Sequence, residues 1–229
     1  MRRAERWTVG LDFGQGADYS AAVVVETVAV LPAGVSREAF VLSPADFVAG
    51  IVQESHVRAL RRWPLGTGYP AIVSDVAAMM RRPPLDDGLL VFDRSGVGRA
   101  VGDLLFQTRR LVRFACAPAV GIITTGGVER NGWNIPKRDL FTELQLQLQQ
   151  NRLRVAEGLQ LGPVLERELL GFRQKLTDSG RETFDIQRRD GEGHGDLVSA
   201  LMLALIQPNE MRRPRVVEHP DTITRKATS

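Results

Sequence analysis

The chain predicts an α/β fold on a mixed sheet, antiparallel hairpin strands first and parallel strands after, with helices on its faces. Three observations carry this. Two apolar runs, "WTVGLDF" (7–13) and the Val-rich "SAAVVVETVAVL" (20–31), are joined by the turn "GQGAD", the pattern of a β-hairpin. Further on, strand-length apolar runs alternate with segments of helical spacing. Near the end, "LVSALMLALI" (197–206) is apolar all round, as in a helix buried against a sheet.

The elements between follow in order. "HVRALRRW" (56–63) alternates imperfectly and fits a third, edge-like strand. "YPAIVSDVAAMM" (69–80) places Pro at a helix start and apolar residues at helical spacing, and "PPLDDG" ends it. "LLVFD" (89–93) is a short buried strand that closes on Asp, followed by the helix "GVGRAVGDLLFQ" (96–107). "VRFACAPAVGI" (112–122) reads as another core strand and "TTGGVERNGWN" (124–134) as a polar, Gly-rich loop. The spacing predicts a helix over 136–151, with Phe141, Leu144 and Leu148 on one face, and a second over 163–176. "ETFDIQ" (182–187) is a short strand and "DGEGHGD" (190–196) a loop. No internal repeat occurs. Residues 1–207 are expected to form one domain and 208–229, which lose periodicity, a flexible C-terminal tail.

Composition narrows the class. Of 229 residues, 43% are hydrophobic and 25% charged, ordinary for a soluble globular domain. No apolar run reaches the ~18 residues of a membrane helix. The basic start "MRRAERW" is not followed by a signal core, so a cytoplasmic protein without membrane contact is expected. The one cysteine, Cys116, excludes an intrachain disulfide framework and a zinc site of several thiolates, and its apolar surroundings mark a buried structural thiol. Net charge is +3, yet the only lysines are Lys137, Lys175 and Lys226, and the other basic residues are Arg. Guanidinium groups fork onto phosphates, so a phosphate-rich partner is permitted, although Arg-rich composition alone does not require one.

Three carboxylates stand where apolar elements end or are interrupted. Asp12 interrupts the first strand, Asp93 closes "LLVFD", and Asp196 opens the apolar last helix, two residues after His194. A carboxylate at a buried strand end is costly unless something positive meets it. If such ends share one sheet edge, mutual repulsion raises their pKa values, and a hard divalent cation reverses that. Each Asp also has a structural alternative. Asp12 can close a turn, Asp93 can accept amides of "RSGVG", and Asp196 can cap its helix. Asp18 reads as a turn former. His194 can orient Asp196, touch metal-bound water or merely fill the loop, and support of the carboxylates is the favoured reading.

In order, "GLDFGQGADYSAAVV", "LLVFDRSGVGRAVGDLL", "NIPKRDLFTELQLQLQQNRLRV", "LERELLGF" and "GHGDLVSALMLAL" resemble the nuclease domain of the large terminase subunit of tailed phages, within the RNase H-like group. The resemblance spans Val9 to Ile206. It implies an RNase H-like mixed sheet and a metal-dependent endonuclease that cuts double-stranded DNA during genome packaging. The family's three-carboxylate site falls on Asp12, Asp93 and Asp196. It would hold two Mg²⁺ or Mn²⁺ ions about 4 Å apart, with Asp12 bridging. The family's Gly-rich stretch followed by Pro-Lys falls on Gly126, Gly127, Pro136 and Lys137. Lys137, Arg138 and Arg130 would then meet DNA phosphates, with His194 in support. No P-loop motif is present, so the chain reads either as an isolated nuclease domain or as a split or prophage-derived protein; an ATPase motor, a small terminase subunit and a portal protein are the partners that the resemblance implies, in a bacterial host carrying the phage or prophage. Rival readings are a Holliday-junction resolvase of the same fold, an actin- or sugar-kinase-like ATPase suggested by "LDFGQG", and an inactive DNA-binding module.

Overall fold

The computed structural model describes residues 6–16, 18–44, 50–112, 119–124, 133–176, 182–186, 195–206 and 215–217. β1 (Arg6–Asp12) and β2 (Ala21–Val30) form the expected hairpin, and β3 (Val52–Arg62) lies antiparallel to β2. β4 (Leu89–Asp93), β5 (Ala119–Ile123) and β6 (Trp133–Asn134) continue from β1 in parallel. β7 (Leu153–Val155) adds in parallel to β3, while β8 (Phe172–Leu176) and β9 (Glu182–Ile186) make a separate antiparallel ribbon. β10 (Arg215–Val217) pairs with Val28–Val30 of β2, giving an eight-stranded mixed sheet of order β6-β5-β4-β1-β2-β3-β7 with β10 on β2.

The helices are α1 (Arg37–Leu42), α2 (Tyr69–Met80), α3 (Gly98–Val112), α4 (Lys137–Gln149), α5 (Gly162–Gly171) and α6 (Asp196–Leu205). Because side chains alternate along a strand, β1, β2 and β4 each supply both faces. Val9, Leu11, Val24 and Phe92 pack with Val73 and Val76 of α2 and Val101 and Leu105 of α3. Val23, Val25 and Val91 pack on the opposite face with α6, Leu140 and Leu144 of α4, and Leu165 of α5. α6 is the centre of this second layer: all its residues but Ser199 are buried. Each large apolar side chain so removed from water contributes about 1.5–3 kcal/mol. Among the described residues, no helix is long and apolar enough to cross a membrane.

Several expectations change. The helix expected over 163–176 stops at Gly171, and "FRQKL" is instead β8, held by its ladder to β9. α1 was not anticipated; the Ser36 side chain caps it, accepting from Ala39 N at 3.1 Å. In α4 the buried positions are Leu140 and Leu144, Phe141 packs at the core margin, and Leu148 is exposed. Val112 ends α3, so the strand expected over 112–122 begins only at Ala119, and Cys116 lies outside the described residues. The segment expected as a flexible tail contributes β10. Among the described residues, β1 accompanies β2 as far as Thr27, and β10 pairs with the Val28–Val30 stretch beyond it.

Candidate active site

Strand register brings the first two carboxylates together. β1 and β4 are adjacent and parallel, with Leu11 beside Phe92, so the next residues, Asp12 and Asp93, end neighbouring strands. Asp12 shares the α6 face of β1 with Gly10, and Asp93 shares that of β4 with Val91. Asp12 therefore terminates its strand rather than interrupting it.

Gly10 sets the third member. A Cβ there would stand 1.9 Å from the Ala200 carbonyl oxygen, so only glycine lets the α6 backbone lie this close to β1. Seated in that way, α6 places its first residue, Asp196, beside the strand ends. Asp12, Asp18, Asp93 and Asp196 line one cavity of about 270 Å³ together with Thr124 and Lys137. This is the carboxyl end of the parallel strands, where open α/β sheets bind ligands.

The turn after β1 forms the rim. Asp18 N donates to the Gln15 carbonyl at 2.9 Å and Gly14 N to Ser20 Oγ at 3.1 Å. A Cβ on Gly14 would meet the Asp18 carbonyl at 2.3 Å, which explains the glycine. Tyr69 of α2 donates to the Gly14 carbonyl at 2.9 Å and fixes the turn to the body. Asp18, read from sequence as a turn former, does that through its backbone and also lines the cavity. Its proximity to Asp12 could not be read from spacing.

Asp93 is held on both oxygens. Oδ1 accepts from Ser95 N at 2.7 Å and Oδ2 from the Thr124 hydroxyl at 3.0 Å, while Thr124 N donates to Ser95 Oγ at 2.9 Å. The turn role considered for Asp93 is therefore real, and it coexists with a place in the cavity. Asp196 does not cap its helix. The cap position is Gly195, in the left-handed conformation, and the amide of Val198 is taken by Glu168 Oε2 of α5 at 3.1 Å.

Charge is unbalanced here. Burial, then the negative charges of Asp196 and Asp93, push the Asp12 carboxyl up to about 7; Lys137 pulls it down and Asp18 pushes it further up. Lys137 opens α4 behind Pro136 and reaches the cavity from an exposed position, and Arg138 beside it is exposed. Arg130 and His194 lie outside the described residues. Among the described residues, no three His, Cys, Asp or Glu side chains are close enough together to form a finished metal cage. The carboxylates share a cavity without closing on one point, as expected for like charges that are also drawn to Ser95, Thr124 and Arg62. The donor set nevertheless suits a hard divalent cation: four carboxylates, all oxygen, against one ammonium.

No protein-family model and no curated protein sequence matches the chain. Solved structures do. The large terminase nuclease from thermophilic phage G20c matches with a TM-score of 0.56 at 21% identity, over 87% of this chain and 81% of that one. The same nuclease with bound magnesium gives 0.57 at 20% identity, over 89% and 82%, and it has also been solved with bound cobalt. The Thermus phage P74-26 large terminase nuclease domain gives 0.53 at 18% identity, over 87% and 78%. The mixed sheet, with α6 across its centre and acidic residues at its parallel strand ends, thus has the fold of the phage large terminase nucleases.

Proposed function

We propose that this chain is a metal-dependent endonuclease that cuts double-stranded DNA, of the terminase nuclease kind, with residues 1–207 as its nuclease domain. The observation that carries the reading is the delivery of Asp12, Asp93 and Asp196 by two adjacent strand ends and one helix start into a single cavity. The magnesium- and cobalt-bound forms of a structure with the same fold support the choice of ligand.

In this reading Asp12, Asp93 and Asp196 hold a pair of Mg²⁺ or Mn²⁺ ions. Bound ions of this kind would lower the pKa of an attacking water and stabilise the leaving oxygen of an in-line displacement. Asp12, buried and close to the charges of Asp196 and Asp93, gains from a cation. Ser95 and Thr124 keep Asp93 aimed while the charge beside it changes. Lys137 and Arg138 hold DNA phosphates at the mouth of the cavity, which positions the backbone without reading sequence. Arg130 and His194 are assigned to the same surroundings, as DNA contact and carboxylate support. Work beside an ATPase motor, a small terminase subunit and a portal in the cytoplasm of a bacterial host completes the proposal.

Supercoiled plasmid is the direct test. Purified protein is expected to nick and linearise it with Mn²⁺ or Mg²⁺, with little sequence preference, and to stop on chelation. Plasmid left intact with both ions over a range of salt would overturn the reading. ATP hydrolysis under those conditions would favour the kinase-like alternative.

A further inference from the structure

Beside the cavity lies a buried charge cluster that the proposed chemistry does not use. Arg62 ends β3, and its side chain is 13% exposed. One guanidinium nitrogen, Nη2, donates to Glu168 Oε1 and stands 3.7 Å from Asp196 Oδ2, beyond hydrogen-bond reach. The Tyr19 ring stacks on the guanidinium at 4.7 Å. Arg62 Nε is buried and, among the described residues, has no hydrogen-bond acceptor. Glu168, only 8% exposed, spends its other oxygen on the Val198 amide in the first turn of α6.

We infer that Glu168 is a positioning residue: it captures Arg62 and so keeps the guanidinium from closing on Asp196. The inference rests on the assignment of Asp196 as a metal ligand. A buried guanidinium with an unused donor seeks the nearest carboxylate. Two compete for Nη2, and Glu168 wins by contact. Glu168 also occupies the α6 amide that a first-turn carboxylate would otherwise find attractive. Both effects keep Arg62 and the Val198 amide from bonding Asp196. Weakening Glu168 should therefore let Arg62 take Asp196 and lower affinity for a divalent cation, although neither residue lines the cavity.

The test is Mn²⁺ binding, by calorimetry and by the metal-induced rise in melting temperature, independent of cleavage. Glu168→Gln keeps an acceptor for the Val198 amide and removes the charge that holds Arg62. It is expected to bind Mn²⁺ about tenfold more weakly, the equivalent of about 1.4 kcal/mol. Adding Arg62→Met removes the competitor and should restore affinity to within about threefold of wild type, a reversal typical only of coupled neighbours. Arg62→Met alone should bind at least as tightly as wild type. That variant carries no unmatched cation, so it remains informative if Glu168→Gln fails to fold. Wild-type affinity in Glu168→Gln, no recovery in the double variant, or weakened binding in Arg62→Met overturns the inference. Asp196→Asn separates the two levels. If it binds Mn²⁺ like wild type, the ligand assignment falls and the inference with it. If it loses binding while the Arg62 and Glu168 variants do not, only the inference falls.

Discussion

The cavity and the opposite face of the β2–β3–β7 segment contain the same kinds of charge and treat them in opposite ways. On the sheet face, Arg58 donates to Glu26 from Nε at 2.8 Å and stands 2.7 Å from it through Nη2. Arg58 also reaches His56 Nδ1 at 3.2 Å; His56 Nε2 meets Glu54 at 2.8 Å, and Arg154 of β7 meets Glu54 at 3.2 Å. A guanidinium can only donate, so His56 Nδ1 accepts and Nε2 gives its proton to Glu54. Every carboxylate in this ladder has a cation or donor placed by strand register. In the cavity, four carboxylates face one ammonium: Asp12, Asp93 and Asp196 sit at strand and helix ends and Asp18 in a turn, where register does not set a cation opposite each one. Paired charges of this sort stabilise a fold, whereas charges massed at element ends cost stability and point to a ligand from outside.

The comparison breaks most directly at Asp12. Asp12→Asn should reduce plasmid cleavage by about a thousandfold or more, as for loss of a central metal ligand. Its effect on the metal-free fold should have the opposite sign. The folded carboxyl titrates near 7 against an ordinary 3.8, so between these values the folded state binds more protons than the unfolded one. Stability from this group is therefore present in acid and lost as pH rises from about 4 to 7, by at most about 4 kcal/mol. The variant lacks that loss and should match or exceed wild type at pH 7 and above. Melts across pH 4–8, with and without Mn²⁺, read both effects. A variant less stable than wild type at pH 8, with an unchanged Mn²⁺ response, would make Asp12 a turn residue.

Gly10→Ala attacks the seat of the cavity. The new methyl meets backbone on α6, not a side chain that could turn away, so about 3 kcal/mol of stability should be lost. Cleavage should fall as well, because α6 carries Asp196. Full activity in the folded variant would mean that α6 need not lie this close to β1. In the ladder, Arg58→Met removes the guanidinium that meets buried Glu26 and should cost about 2 kcal/mol, less than a fully buried pair because the Arg58 side chain is 37% exposed. Cleavage by the folded variant should be unchanged. Urea unfolding beside a plasmid assay separates these two variants.

Local pattern made much of this legible. The hairpin, "LLVFD", the Pro-led helices and the apolar α6 each announce themselves through period or composition, and Asp12, Asp93 and Asp196 are visible as carboxylates at the limits of apolar runs. Pairing was not legible. β6, β7 and β10 are two or three residues long, too short for any period, and exist because a neighbouring strand offers them an edge. "FRQKL" continues a helical composition past Gly171, and only its partner strand makes it β8. Glu168 has no distinguishing spacing in "LERELLGF". Its role arises when α5 packs beside α6 and Arg62 arrives from a strand 106 residues away. Asp18 likewise has a turn signature, and its place in the cavity depends on where that turn folds.

The smallest effect sharpens the comparison through its sign. Burial pushes the Glu54 carboxyl up, but the bonds from His56 and Arg154 outweigh it and the net shift is downward from 4.5. A lowered folded pKa contributes stability above the ordinary value and loses it as pH falls through the folded one. That is the reverse of Asp12. Glu54→Gln keeps the shape and one acceptor but removes the charge. Because the Arg154 end of this pair is 53% exposed, the variant should be less stable than wild type at pH 7 by under about 1 kcal/mol. The gap should narrow as pH falls below the ordinary 4.5, as the wild-type carboxyl takes up its proton as well. Urea midpoints at pH 7 and pH 3.5 measure it. An equal gap at both values would assign the effect to side-chain packing and leave the ladder without its charge role; a gap confined to neutral pH sets Glu54 against Asp12 as two carboxylates of one sheet with opposite pH slopes.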